Sequence, residues 1–125
     1  LAFEQTEDPL EAIYNLIHHL LLENDFLKVE YGCPAANLTQ EMTPWHVDFS
    51  GALQEITQLW NEHMIAAIEQ GKLNGVIRQE IVASSVTFFV MSGYWGIRNF
   101  GKLVNSKSVY LPYLKELKSY LNTLR

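Results

Sequence analysis

The sequence predicts an all-α fold of five helices. Apolar residues recur at spacings of three and four in five segments, and no segment alternates like a strand between hairpin turns. Proline and glycine fall where such helices would start and stop.

Pro9 follows the acidic pair Glu7-Asp8 and suits a first helical turn. Leu10, Ile13, Tyr14, Ile17, Leu20 and Leu21 then form a stripe that carries the first helix to about Glu23. After a connector, Pro34 opens a short second helix, with Leu38 and Met42 one turn apart, that stops near Thr43-Pro44. The third helix is expected from about Trp45 to Gln70, with Phe49, Leu53, Ile56, Trp60, His63 or Met64, and Ala67 on one side and Gly71 and Gly75 as its stop signals. The fourth, from about Gln79 to Phe100, is apolar nearly all round, the pattern of a helix covered on more than one side. Its Gly93 and Gly96 each cost about 1 kcal/mol relative to alanine, which predicts a compensating close helix crossing. A polar break at Asn105–Ser108 precedes a fifth helix that runs to about Leu124, with Leu114, Leu117, Leu121 and Leu124 on a seam and Tyr113 and Tyr120 on its flank.

With 125 residues, 48% of them hydrophobic, the chain is sized for one domain, residues 1–125. Charged residues are only 18% and aromatic residues 12%, more apolar surface than a small monomer easily hides, so a partner surface or an internal cavity is expected. The net charge of -5 argues against a phosphate-binding footprint in this chain. Charge is also unevenly spread. Twelve acids precede Gln70 against the single base Lys28, and two acids against eight bases follow. This pattern fits solvated faces that attract one another across the fold, or an acidic chamber.

A single cysteine, Cys33, leaves no intrachain disulfide and fits a reducing compartment, so the cytoplasm is expected. Its place before Pro34 leaves two roles open, a dipole-activated thiol or a small packed side chain. No leader pattern opens the chain, and the uncharged run Ile81–Ile97 is diluted by serines, a threonine and two glycines, so no membrane span is expected. His18, His19, His46 and His63 form neither an HExxH motif nor an i,i+4 pair, and no metal or cofactor is expected. His18 and His19 point about 100° apart on a helix and cannot both face the core. Without a phosphate loop, a nucleophile elbow or a spaced carboxylate pair in an apolar run, the chain is not expected to be an enzyme. Glu41 is the acid best placed for partial enclosure.

The segment Gly32–Met42, GCPAANLTQEM, resembles the opening of the sensing domain in TetR-type (tetracycline-repressor-like) regulators. Phe49 and Trp60, the pair Gly71 and Gly75, and the stretch Gly96–Lys102, GIRNFGK, extend the resemblance over about Pro9–Leu124. It implies a five-helix C-terminal regulatory domain whose last two helices form a four-helix dimer interface with their mates. It also implies that operator DNA is bound by a helix-turn-helix domain outside this chain, and that Leu1–Thr6 represent at most the end of a linking helix.

On that resemblance, the inward stripes become candidate chamber walls. Phe49, Trp60, Phe88 and Trp95 stand with Tyr14, Ile56 and Met91, and Ile17, Leu38, Met42 and His63 join them. Such residues fill a core as readily as they line a pocket, and spacing alone leaves the two open. The effector expected is apolar and neutral or cationic, since bases are scarce before Gln70 and Trp60 offers a cation-π face. For the homodimer the candidates are Gly93, Gly96, Ile97 and Phe100 on the fourth helix and Tyr113, Leu114, Leu117, Tyr120 and Leu121 on the fifth. The competing reading is a helical protein-interaction module that has no cavity.

Overall fold

The computed structural model describes residues 8–23 and 47–125, the side chains of 47–54 and 56 excepted. Four helices and no strand occur among the described residues: α1 (Pro9–His18), α2 (Val47–Leu73), α3 (Ala83–Val104) and α4 (Tyr110–Asn122). The predicted helix at Pro34–Thr43 lies outside them.

Asp8 starts α1 as its N-cap, its carboxylate accepting the Glu11 backbone N–H at 3.3 Å, and Pro9 occupies a first-turn position that needs no donor. Leu10, Ile13 and Ile17 are buried, and α1 continues into a π-helical turn, His19–Glu23, that buries Leu21. α2 ends three residues later than the sequence predicts. Gly71 sits inside its last turn, where a Cβ would come within 2.7 Å of both Pro9 Cγ and Ile77 Cδ1, and Gly75 adopts the left-handed φ of +78° that ends the helical path.

α3 starts at Ala83 rather than near Gln79, because the preceding residues are committed to a turn. The Gln79 amide donates to the Lys72 carbonyl, and the Lys72 ammonium donates to the Ile81 carbonyl at 2.8 Å. The helix ends on Asn105 in the left-handed region, φ 51° and ψ 47°. Ser106 then opens a 3-10 turn, Lys107–Val109, by accepting the Ser108 N–H at 3.1 Å, and α4 follows directly.

α1 packs on α2 and α4, and α3 packs on the same two helices, so the core lies at the centre of this ring. It is filled by Leu10, Ile13, Ile17, Leu21, Met64, Ile68, Val86, Val90, Tyr94, Tyr110, Leu114, Leu117 and Leu121. Full burial of each large aliphatic side chain contributes about 1.5–3 kcal/mol. Arg78 fastens the end of α4, donating its backbone N–H to the Leu124 carbonyl at 2.9 Å and a guanidinium N–H to the Thr123 carbonyl at 2.7 Å. Asp8 and Arg125, 2.8 Å apart, tie the acidic half of the sequence to the basic half.

Two predictions test this packing. Ile68→Ala removes a side chain with no exposed surface and should cost about 2–5 kcal/mol in urea unfolding with an unchanged slope. The second concerns Asp8. Partial burial alone would raise its pKa, but the Arg125 hydrogen bond, the Glu11 N–H, the Arg125 charge and the Leu10 N–H outweigh burial and hold it below 3.8. A depressed carboxyl stabilises the fold above its unfolded pKa, and that contribution is lost as pH falls below about 4. Asp8→Asn should flatten this acid limb of stability, and Asp8→Ala should cost about 1 kcal/mol more at neutral pH through the lost cap.

Candidate functional site

An apolar cavity of about 220 Å³ lies between α1, α2 and α3. Leu16, Ile17 and Leu20 come from α1 and its π turn, Trp60 and Met64 from α2, and Met91 and Tyr94 from α3. These walls expose no polar atom to the space. Three elements meet there because Ile17, Met64 and Tyr94 are each anchored in the core while Trp60, 36% exposed, stands at the edge. The π turn widens the helix locally, so that Leu20 reaches the cavity wall while its neighbour Leu21 is fully buried.

Of the residues singled out from the sequence, the structure brings Ile17, Trp60 and Met91 together at this cavity. Tyr14 is elsewhere. It is half-buried beside His18, at 5.9 Å between ring centroids, and it borders a polar groove between α1 and α4 with Lys118 5.4 Å from its ring centre. Trp95 is partly buried against the core, and His63 is half-buried on α2, but neither lines the cavity. Phe88 is corrected outright as a wall residue. It is 73% exposed, because Val86, Val90, Met91 and Tyr94 take the inward face of α3 and a residue two positions from Val90 falls on the opposite side. Leu38 and Met42 lie outside the described residues, as do Cys33, Glu41 and His46, and so do the side chains of Phe49 and Ile56.

Leu16, Leu20, Met64 and Tyr94 were missed as walls. The signal for Tyr94 was present in the run Thr87, Met91, Tyr94, Arg98, spaced four, three and four, all buried; the larger Trp95 drew the assignment instead. Arg98 is fully buried one turn beyond Tyr94 and is engaged by neighbours within the fold. His18 and His19 both approach the Glu23 carboxylate, at 3.6 and 3.0 Å. No group of three His, Cys, Asp or Glu that could hold a metal occurs among the described residues.

The opposite side of α3 is exposed. Ser85, Phe89, Ser92, Gly96, Phe100 and Leu103, spaced by three and four, form an outward stripe in which Phe89, Phe100 and Leu103 are each more than half exposed. Phe89 meets Tyr120 of α4, with ring centroids 4.6 Å apart, so the stripe continues onto the flank of α4. Gly93 is the bed for Tyr113, since a Cβ there would lie 2.8 Å from the phenol oxygen. The close crossing expected at the glycines is thus made within the chain at Gly93, whereas the space at Gly96 is open. Of the residues expected at a dimer interface, Leu114, Leu117 and Leu121 are corrected to this chain's own core, and Ile97 packs partly on that core. Gly96, Phe100, Tyr113 and Tyr120 remain at the outer face or its margin.

The family model described as tetracyclin repressor-like, C-terminal domain, matches residues 9–112, from the first residue of α1 into the first turn of α4. The chain belongs to this family. It is the regulatory domain of a TetR-type regulator, a class that is generally not enzymatic. No curated protein and no solved structure matches the chain. Among the described residues of this TetR-type domain, no helix is long and apolar enough to cross a membrane.

The Gly93–Tyr113 contact has a measurable signature. Burial pushes the Tyr113 phenol up to about 12. A raised pKa contributes stability below the unfolded value near 10, and that contribution is lost as pH rises from 10 towards 12. Tyr113→Phe should reduce this alkaline loss of stability. Gly93→Ala should displace the ring, cost about 1–3 kcal/mol, and bring the tyrosine titration followed by ultraviolet absorbance back towards 10.

Proposed function

We propose that this domain senses a small apolar effector in the cavity between α1, α2 and α3, and that two copies pair through the outward stripe of α3 and the adjoining flank of α4. The observation that carries the reading is the two-sidedness of α3. Met91 and Tyr94 form cavity wall on one side, while Phe89, Phe100 and Leu103 are exposed on the other. A ligand that fills the cavity presses on the same rigid helix that would meet the partner. Occupancy then favours one of two dimer arrangements and changes the spacing of the DNA-reading domains of the full-length regulator. The effector must bind one arrangement more tightly, because equal affinity for both shifts nothing. With a net charge of -5, this chain itself is not the part that grips operator DNA.

The cavity also separates this reading from a pure protein-interaction module, which would use the outer face and leave the apolar space without a role. Sedimentation velocity of the chain should show a dimer, with a buried interface above about 1,200 Å² in total. Phe100→Asp and Gly96→Leu should both shift it to monomer, the first by placing a charge in the interface and the second by filling the open space. A wild-type monomer at high micromolar concentration would sink the pairing. Trp60→Ala should leave the dimer intact and weaken effector binding at least about tenfold, the scale of a lost aromatic contact.

A further inference from the structure

We propose that the effector is an uncharged compound built on one small ring, of roughly nine or ten non-hydrogen atoms. This rests on the reading of the cavity as the effector site and narrows it to a chemical class.

Size comes first. A dry hydrocarbon-lined protein cavity of about 150 Å³ accommodates benzene, and drug-sized ligands occupy sites of about 300–1,000 Å³. The cavity here, about 220 Å³, exceeds the first by half and falls short of the second range. It therefore fits a single ring carrying a short substituent more closely than a linked multi-ring compound.

The walls decide the charge. Leu16, Ile17, Leu20, Met64 and Met91 present carbon and sulfur, and no carboxylate, ammonium or guanidinium lies among the described lining residues. A charged ligand would leave water without a counter-ion, and the cost of that desolvation exceeds what dispersion contacts return. Arg98, buried one turn along α3 from Tyr94, does not line the cavity. Trp60, which could hold a cation over its ring, stands at the partly exposed edge rather than within the enclosure.

The shape of the walls favours a ring over an open chain. Trp60 and Tyr94 supply flat faces, and the two methionines, Met64 and Met91, supply polarizable sulfur that sits well at the edge of an aromatic ring. Both methionines have enough torsional freedom to close around a planar guest.

The experiment uses five probes of graded size and charge on the chain, by isothermal titration and thermal shift. They are propylbenzene, butylbenzene, phenyltrimethylammonium, phenylacetate and the uncharged multi-ring compound flavone. Propylbenzene or butylbenzene should bind and raise the melting temperature, at least about tenfold more tightly than either charged analogue or flavone. Met64→Ala enlarges the cavity and should admit flavone while loosening the hold on the single rings, a gain of binding that an unfolded variant could not show. If a charged analogue or flavone binds the wild-type chain as well as the neutral single rings do, the proposed class is overturned and the effector site stands. If no probe binds the wild-type chain, and Met64→Ala admits none, the cavity is a packing void and the effector reading falls with it.

Discussion

The inward face of α3 has to be covered by other helices, and that demand organises the described structure. Val86, Val90, Met91, Tyr94 and Arg98 lie on one side of the helix and are buried. α2 and α4 flank that side, and α1 completes the enclosure by packing on the same two helices. The helices do not close completely. Where Leu16, Ile17 and Leu20 approach Met91 and Tyr94, space remains, with Trp60 at its rim. Cavity and core are thus continuous parts of one apolar interior. The difference between them is local geometry rather than residue type.

That distinction marks what could be read in the sequence. The helix starts at Pro9 and near Ser108, and the all-α class, follow from capping and periodicity, which act over a few residues. The inward stripe of α1 was equally legible, since Leu10, Ile13, Ile17 and Leu21 are all buried. The N-terminus of α3 was not, because its placement depends on Gln79 and Lys72 bonding across a turn, a contact between residues seven apart. An all-round apolar helix gives no phase, so the sequence could not separate Phe88 and Phe89 from Tyr94. Their different fates are settled by which side α2 and α4 take. The seam leucines of α4 illustrate the same limit from the other direction: a regular heptad-like stripe specifies a buried face but not whether its own chain or a second copy does the burying.

Among the described residues, two ion-pairing arginines act at the ends of elements. Asp8 and Arg125 join the start of α1 to the residues after α4, and Arg78 spans the turn and the same C-terminal carbonyls. Exposed pairs of this kind contribute at most about 1 kcal/mol each. Their role is to fix where the ends of α1 and α4 sit, which in turn sets the register in which Leu10 and Leu121 meet the core. The acid-rich and base-rich halves of the sequence therefore touch at this corner of the fold, away from the cavity walls.

The π turn at the end of α1 has a meaning for how the lineage of this chain can vary. Such a turn holds one residue more than an α-helical path of the same span. Removing a residue between His19 and Glu23 would return the segment to α geometry and leave Leu10, Ile13 and Ile17 in their present phase. Removing one from within Pro9–His18 would instead rotate one part of the buried stripe against the other by about 100°. Changes of length should therefore concentrate at the turn. Because Leu20 and the buried Leu21 both sit on it, such changes would reshape one wall of the cavity and its edge with the core while Leu10, Ile13 and Ile17 keep their places.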